Sequence, residues 1–341
     1  MKFKKLIVIL VVVLFLFSLV LVKKSMQNGE ARKEAQRNEL SGGVELIKEI
    51  PDIFLSRIVV YKGSDEKDKL VLAKDESGAW IVENKFRANA RKEAISDLLN
   101  ELKGLKGEVR GDSKELFPDF QIEDEKSVHL VLEGSADKAL KHLVISFLLP
   151  AANKNFVREV DSPRVVLVDK NLLAKLNIFG KDDTPKALPF VDLKLPAFDV
   201  NGVTGIILES KGKDKIALKK TSAADGGNTV WSFDPAAAKE EIDQAKAERL
   251  LRSASNIYAD DVMDPSQKTY GLEDPSFRIT LTGSAGDKIA EIDVGTYLES
   301  EKMYYVKISS SDTVYKVPES YITGLKEGRS ALLIPRAGSP K

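Results

Sequence analysis

Three patterns of apolar and polar residues succeed one another along this chain. The first is an unbroken apolar run over residues 6–22, 17 positions in which Ser18 is the only polar member. A helix of that length spans roughly 26 Å, close to the ~30 Å hydrocarbon core of a bilayer, and the stems of the flanking lysines extend its reach. The second pattern is alternation rich in β-branched side chains. It runs over residues 128–132, 143–147, 277–281 and 304–308 and predicts half-buried strands. The third is a stripe at three- and four-residue spacing, Ile95, Leu98, Leu99, Leu102 and Leu105, which predicts a helix. A second helix is predicted where Ile242, Ala245, Leu250 and Ala254 follow Asp234-Pro235, an N-cap residue with proline at the first helical position.

The patterns recur in one order. Trp80 and Trp231, each in a strand-like run, stand 151 residues apart, and the paired leucines Leu98-Leu99 and Leu250-Leu251 are offset by 152. Phe120-Gln121-Ile122-Glu123-Asp124 matches Tyr270-Gly271-Leu272-Glu273-Asp274 at an offset of 150. Phe156-Val157-Arg158 matches Tyr305-Val306-Lys307, and Val165, Val168 and Leu176 match Val314, Val317 and Leu325, all at 149. An ordered series of this kind is the mark of an internal repeat. Each unit reads β-β-β-α, an irregular stretch, about four strands and a short closing helix. The fold class expected is α+β: an N-terminal transmembrane helix, then two tandem, homologous, mainly antiparallel β-sheet units, each with one packing helix. Equivalent placement in both units puts Trp80 and Trp231 in the expected core.

The boundaries follow. Residues 1–5, with Lys2, Lys4 and Lys5, form a cytoplasmic n-region and 6–22 the anchor; 23–53 are a polar stalk. Residues 54–180 are the first repeat, and 181–201, with Pro185, Pro189 and Pro196, an extended linker; 202–327 are the second repeat and 328–341 a flexible tail. The apolar run meets Lys23-Lys24 with no small-residue cleavage pattern, so a retained anchor is expected over a cleaved signal. The signal-like n-region favours an inside N-terminus. This makes the chain a single-pass protein of the cytoplasmic (inner) membrane, in the bilayer through residues 6–22 and extracytoplasmic beyond.

Composition narrows the chemistry. Lys plus Arg is 52 and Asp plus Glu is 52, so no global field draws nucleic acid, and no nucleic-acid partner is expected. The absence of cysteine removes disulfides, thiolate nucleophiles and Cys-based zinc sites. The only histidines, His129 and His142, lie in strand-like runs without a carboxylate at metal-site spacing, and read as structural. No nucleophile elbow, Walker loop or Gly-x-Gly-x-x-Gly occurs. Asp260-Asp261-x-x-Asp264 lacks the spacing of a calcium loop and reads as a solvated turn ending a helix. No catalytic, metal or cofactor-binding residue is expected, and no cofactor. Tyr304-Tyr305 reads as one inward and one outward strand residue. Tyr304 and Tyr258 are candidates for a partner surface.

Tyr270, Gly271, Leu272, Glu273, Asp274 and Pro275 lead into the strand 277–282, followed by Ile292-x-Val294-Gly295, Tyr304-Tyr305-Val306-Lys307 and Val314-Tyr315-x-Val317. This order, with the anchor and the Trp strand before a Leu-rich helix, resembles the bacterial domain-of-unknown-function family numbered 4340. The first repeat departs from it, with Gln121 in place of the glycine and no proline after Asp124. The family's members look like envelope proteins, often associated with ABC-type transport systems of the gliding-motility kind, and no catalytic residues carry over. The resemblance thus implies a non-catalytic, membrane-anchored extracytoplasmic accessory or scaffold protein. Its partners would be ABC-transporter or other envelope subunits. Two alternatives stand beside it: an extracytoplasmic glycan or small-molecule sensor, and an envelope hydrolase using a carboxylate pair such as Glu273 and Asp274. The hydrolase is disfavoured because neighbours on a strand point to opposite faces.

Overall fold

A computed structural model of the chain describes residues 43–48, 55–135, 138–151, 153–195, 198–222, 229–236 and 240–334. The expected anchor, most of the expected stalk and residues 335–341 lie outside the described residues. Among the described residues no helix is long and apolar enough to cross a membrane.

The N-terminal half forms β1 (Val44–Ile47), β2 (Leu55–Lys62), β3 (Asp65–Lys74), β4 (Trp80–Val82), β5 (Ala88–Asn89), helix α1 (Lys92–Leu102), β6 (Leu105–Asp112), β7 (Val128–Gly134), β8 (Ala139–Ile145), β9 (Asn155–Glu159) and β10 (Arg164–Val168). The C-terminal half forms β11 (Lys194–Leu195), β12 (Gly205–Ser210), β13 (Ile216–Ser222), β14 (Thr229–Phe233), helix α2 (Gln244–Ala254), β15 (Ile257–Tyr258), β16 (Asp261–Met263), β17 (Phe277–Thr282), β18 (Lys288–Leu298), β19 (Met303–Ile308) and β20 (Val314–Pro318). The sheets run β1-β6-β10-β9-β8-β7-β2-β3-β4-β5 and β14-β13-β12-β17-β18-β19-β20-β16, and β11 pairs with β15. The architecture is mainly antiparallel β with few helices, the coarse form of the expected class.

Read from β10 to β4, and from β20 to β14, the two strand orders are the same. The registers agree as well. Ile145 pairs with Val157 and Val294 with Val306; Val157 pairs with Val166 and Val306 with Tyr315; every partner stands 149 residues beyond its counterpart. Helices α1 and α2 are displaced by 152 at both ends. The spacing read from the sequence is therefore the spacing of the hydrogen-bonded ladders.

Alternation sorts side chains onto two faces of each sheet. On one face Ile58, Leu130, Leu143, Ile145 and Val157 in the first repeat, and Ile206, Ile279, Ile292, Val294 and Val306 in the second, are fully buried. Leu98 and Leu102 of α1, and Ala247, Leu251 and Ala254 of α2, are fully buried too. The other face differs between the repeats and carries the candidate site.

The chain forms two compact units. Among the described residues, one comprises those up to Val71 with Ser96–Lys186, the other Leu72–Ile95 with those from Ala187 onward. Within the second unit Ala90 bridges Val191, Arg91 N–H donates to Phe190 O at 2.7 Å, and Asp192 N–H donates to Asn89 O at 2.8 Å. Phe190, Val191 and Leu195 are buried. The proline-bearing stretch is thus partly a packed ribbon, because apolar residues between its prolines find backbone partners.

Three local readings change. The second helix does not start at Asp234-Pro235. Its N-cap is Asp243, whose carboxylate accepts from Ala245 N–H at 3.1 Å and Lys246 N–H at 3.3 Å. Gln244 fixes this start by bonding the backbone of Trp231 through both ends of its amide, at 2.7 and 2.9 Å. Ile242 lies before the helix, bridged to Leu333. Leu105, read as the end of the first helical stripe, opens β6 instead. Within the expected stalk Val44–Ile47 pairs with β6, burying Leu46 and Ile47. Asp243→Ala is expected to lower stability by about 1 kcal/mol in chemical denaturation, and Asp234→Ala, at an exposed site, by less than about 0.5 kcal/mol.

Candidate functional site

In the second repeat the face opposite the main core carries a row of paired residues, Glu209, Arg278, Asp293, Lys307 and Val314, across β12, β17, β18, β19 and β20. Arg278 holds Asp293 in a two-point pair at 2.5 and 3.1 Å. Lys307 reaches sideways to the fully exposed Asp312 at 3.1 Å. Beyond Lys307 and Val314 lies a cleft of about 260 Å³, walled by Pro265, Ser266, Gln267, Lys268, Tyr270, Leu272 and Glu273.

The Tyr-Gly-Leu-Glu-Asp-Pro motif builds that wall. Gly271 has φ +67°, and a Cβ there would stand 2.6 Å from Thr296 Oγ1. Gly295 faces it so closely that a Cβ would lie 2.1 Å from Tyr270 O. The two glycines let Thr296 N–H donate to Tyr270 O at 2.8 Å, tying the loop to β18; overpacking of such a contact typically costs about 1–3 kcal/mol. Ser276 adds hydroxyl bonds to Val294 O and Gly295 O at 3.0 and 3.1 Å. Tyr270 is 4% exposed, its ring lies 4.5 Å from that of Tyr305, and its hydroxyl donates to Asp264 O at 3.0 Å. Burial raises the pKa of that phenol above its ordinary value.

Of the other expected residues, Asp274 is exposed and paired with Lys211, and Glu273 lies 4.0 Å from Lys268, so this carboxylate pair stands at the surface. Pro275 and Leu272 are half-buried. Trp231 is buried at 3% exposure, with its indole N–H donating to Glu248 at 2.8 Å. Trp80 is only half-buried, with Lys74 over its ring at 5.3 Å. Tyr304 is covered by Lys326 at 4.0 Å and neighbours Tyr297 at 4.7 Å. Tyr258 is 41% exposed, 6.2 Å from Tyr321. Asp261 opens β16 and pairs with Lys85 at 2.9 Å, while Asp264 accepts from Ser266; the helix ends well before them, so these aspartates do not terminate it. Among the described residues no group of three or more His, Cys, Asp or Glu is arranged to hold a metal.

The same place in the first repeat is closed. Arg158, the counterpart of Lys307, is 1% exposed. Its guanidinium donates to Asp124 at 2.5 Å, Val160 O at 2.8 Å and Ile122 O at 3.2 Å, and lies over the Phe117 ring at 4.3 Å. Phe117 and Phe120 pack on Ile122, Val144, Phe156 and Val165, a small second core on this face. Gln121, where the family motif has glycine, still takes the left-handed conformation at φ +48°.

Beside Arg158 sit the two histidines, which no spacing in the sequence joins. In the β7–β8 ladder His129 pairs with Val144 and His142 with Val131, so the histidines are diagonal neighbours, and His129 Nδ1 lies 2.9 Å from His142 Nε2. His129 Nε2 faces Asp124 O at 2.9 Å and must donate to it. Its Nδ1 therefore accepts the His142 Nε2 proton. Tyr61 stacks on His129 at 4.7 Å, the two rings nearly parallel. Burial first, then His129, lowers the His142 pKa; Arg158 lowers it further, and Asp124 and Asp161 oppose.

This architecture is mainly antiparallel β with few helices, two sheets sharing one strand order, one with a filled outer face and one with an open cleft. The chain belongs to the family described as Domain of unknown function (DUF4340), whose model matches residues 80–269 and again 264–333. The two matched segments accord with an internal repeat. No curated protein and no solved structure matches the chain.

The lowered pKa has a consequence for stability. The unfolded chain takes up a proton near the ordinary histidine value of about 6.5 while folded His142 resists it. The stability that neutral His142 contributes is therefore full above that pH and is lost as the pH falls below it. The loss in melting temperature between about pH 7.5 and 5.5 is expected to be smaller for His142→Gln than for the parent chain. An equal loss in both would remove His142 from the account.

Proposed function

We propose that this chain is a non-catalytic accessory protein of the cell envelope. Residues 6–22 hold it in the cytoplasmic membrane, and the repeats face outward to contact an ABC-type transporter subunit or another envelope protein. The observation that carries this reading is the use of the family motif. Tyr270, Gly271, Gly295 and Ser276 are engaged in fixing one loop against β18, while the motif carboxylates Glu273 and Asp274 lie exposed and paired with lysines. A motif used this way preserves a surface rather than delivering a reacting group. The link to ABC-type transport rests on the family resemblance, and the membrane placement on the hydropathy of residues 6–22.

An extracytoplasmic glycan or small-molecule sensor is the second reading, and the cleft at Lys307 favours it over an envelope hydrolase. At about 260 Å³ the cleft falls just below the roughly 300–1,000 Å³ of most small-molecule sites.

The test is a mild-detergent pull-down of the full-length protein from native membranes, with mass spectrometry of the co-eluting proteins. Recovery of transporter membrane subunits is expected, with loss when residues 202–327 are deleted. Recovery of the protein alone would overturn the accessory reading.

A further inference from the structure

The two repeats share one scaffold, so the first shows what fills the place that the second leaves open. In the first, the filling group is the Phe117 ring, lying between the guanidinium of Arg158 and the apolar cluster of Ile122, Val144, Phe156 and Val165. The turns preceding these walls correspond. Ser113 and Asp264 each accept from the amide two residues on, and Leu116 and Gln267 each donate back three residues. These turns are offset by 151, whereas Gln121 and Gly271, both left-handed, are offset by 150. The second loop is one residue shorter. Whichever way that residue is placed, the counterpart of Phe117 is Gln267 or Lys268, and both are polar.

Of the remaining members only Val144 changes character, becoming Asp293, which Arg278 holds in its two-point pair; the others persist. Phe120 becomes Tyr270, Phe156 becomes Tyr305, Ile122 becomes Leu272 and Val165 becomes Val314. The cation over the ring becomes Lys307. What the second repeat lacks is the ring itself, and the cleft of about 260 Å³ opens between Lys307, Val314, Leu272 and Tyr270.

We propose that this cleft receives one aromatic side chain from a partner polypeptide, seated as Phe117 is seated in the first repeat. Three features of the site select that occupant. Its floor, Val314 and Leu272, is apolar. Lys307 can turn from the exposed Asp312 to stand over the ring as Arg158 does, a cation–π contact that strengthens as water leaves. The rim, with Lys268, Glu273, Asp312 and Ser266, is polar and carries both charges, suited to the backbone on either side of an anchor residue. The size fits one anchor side chain. This deepens the accessory reading by naming the contact.

The probe is the blocked tripeptide Gly-(4-fluorophenylalanine)-Gly, followed by fluorine NMR linewidth on addition of the full-length protein in detergent. Broadening is expected, reversed by the unlabelled Gly-Phe-Gly peptide and not by Gly-Leu-Gly. Of Gln267→Phe and Lys268→Phe, made singly, at least one fills the cleft from within and weakens binding by roughly tenfold or more. As a second arm that does not depend on those variants, Phe117→Ala opens the first repeat and adds a second binding equivalent. A probe left sharp by the parent chain, or broadened equally with both filling variants and with no gain in Phe117→Ala, overturns the proposal. The pull-down separates this failure from that of the accessory reading. A partner retained at full yield by the filling variants removes the cleft and leaves the accessory role standing; a bound peptide with no partner recovered does the reverse.

Discussion

Register is the constraint on which the rest of this molecule depends. In the meanders β7–β10 and β17–β20 the same ladder pairs recur 149 residues apart. Side chains on a strand alternate with a period of two, so a slip of one residue would invert every face. With the register held, the buried face of each sheet must stay apolar, and it does. The opposite face is free to diverge. Across it the row Tyr61, His129, Val144, Arg158 in the first repeat becomes Glu209, Arg278, Asp293, Lys307 in the second. The geometry is retained and the chemistry replaced.

The consequence is a closed face and an open one. A buried guanidinium is tolerated only when its donors are satisfied, and Arg158 meets that condition through Asp124 and the carbonyls of Ile122, Glu159 and Val160. The planar fork also offers a flat surface to Phe117, which a lysine ammonium presents less well. Lys307 is shorter in reach and more strongly hydrated. It stays near the rim with Asp312, and with no aromatic counterpart of Phe117 in the facing loop the cleft stays open beside it. The loop itself does not collapse into that space, because the close approach of Gly271 and Gly295 pins it to β18.

Much of this could be read from the sequence. The repeat, the strand runs near 128, 143, 277 and 304 and the first helix all follow from periodicity, which is what register and burial impose. Local chemistry was harder. Asp234-Pro235 carries a valid helix-start signal, yet Asp243 wins because Gln244 can bond the edge strand at Trp231, a tertiary contact without a local trace. Equivalent sequence position placed both tryptophans in the core, and only Trp231 is there; Trp80 is half-buried. The pairing of His129 with His142 depends on which residues face each other across a hairpin, and the sequence left that register open. The short strand Val44–Ile47 was hidden by polar neighbours. The cleft is the least legible feature, since the correspondence of Phe117 with the polar Gln267 or Lys268 depends on hydrogen-bonded turns that periodicity does not mark.

The closed-and-open contrast is the central claim, and hydrogen–deuterium exchange on the full-length protein tests it most directly. The amides of Phe117 and 119–122, among them Ile122 N–H bonded to Phe117 O at 3.0 Å beneath Arg158, should exchange more slowly than those of 266–272 around the cleft. Equal exchange in the two segments, or faster exchange in the first, would contradict the account.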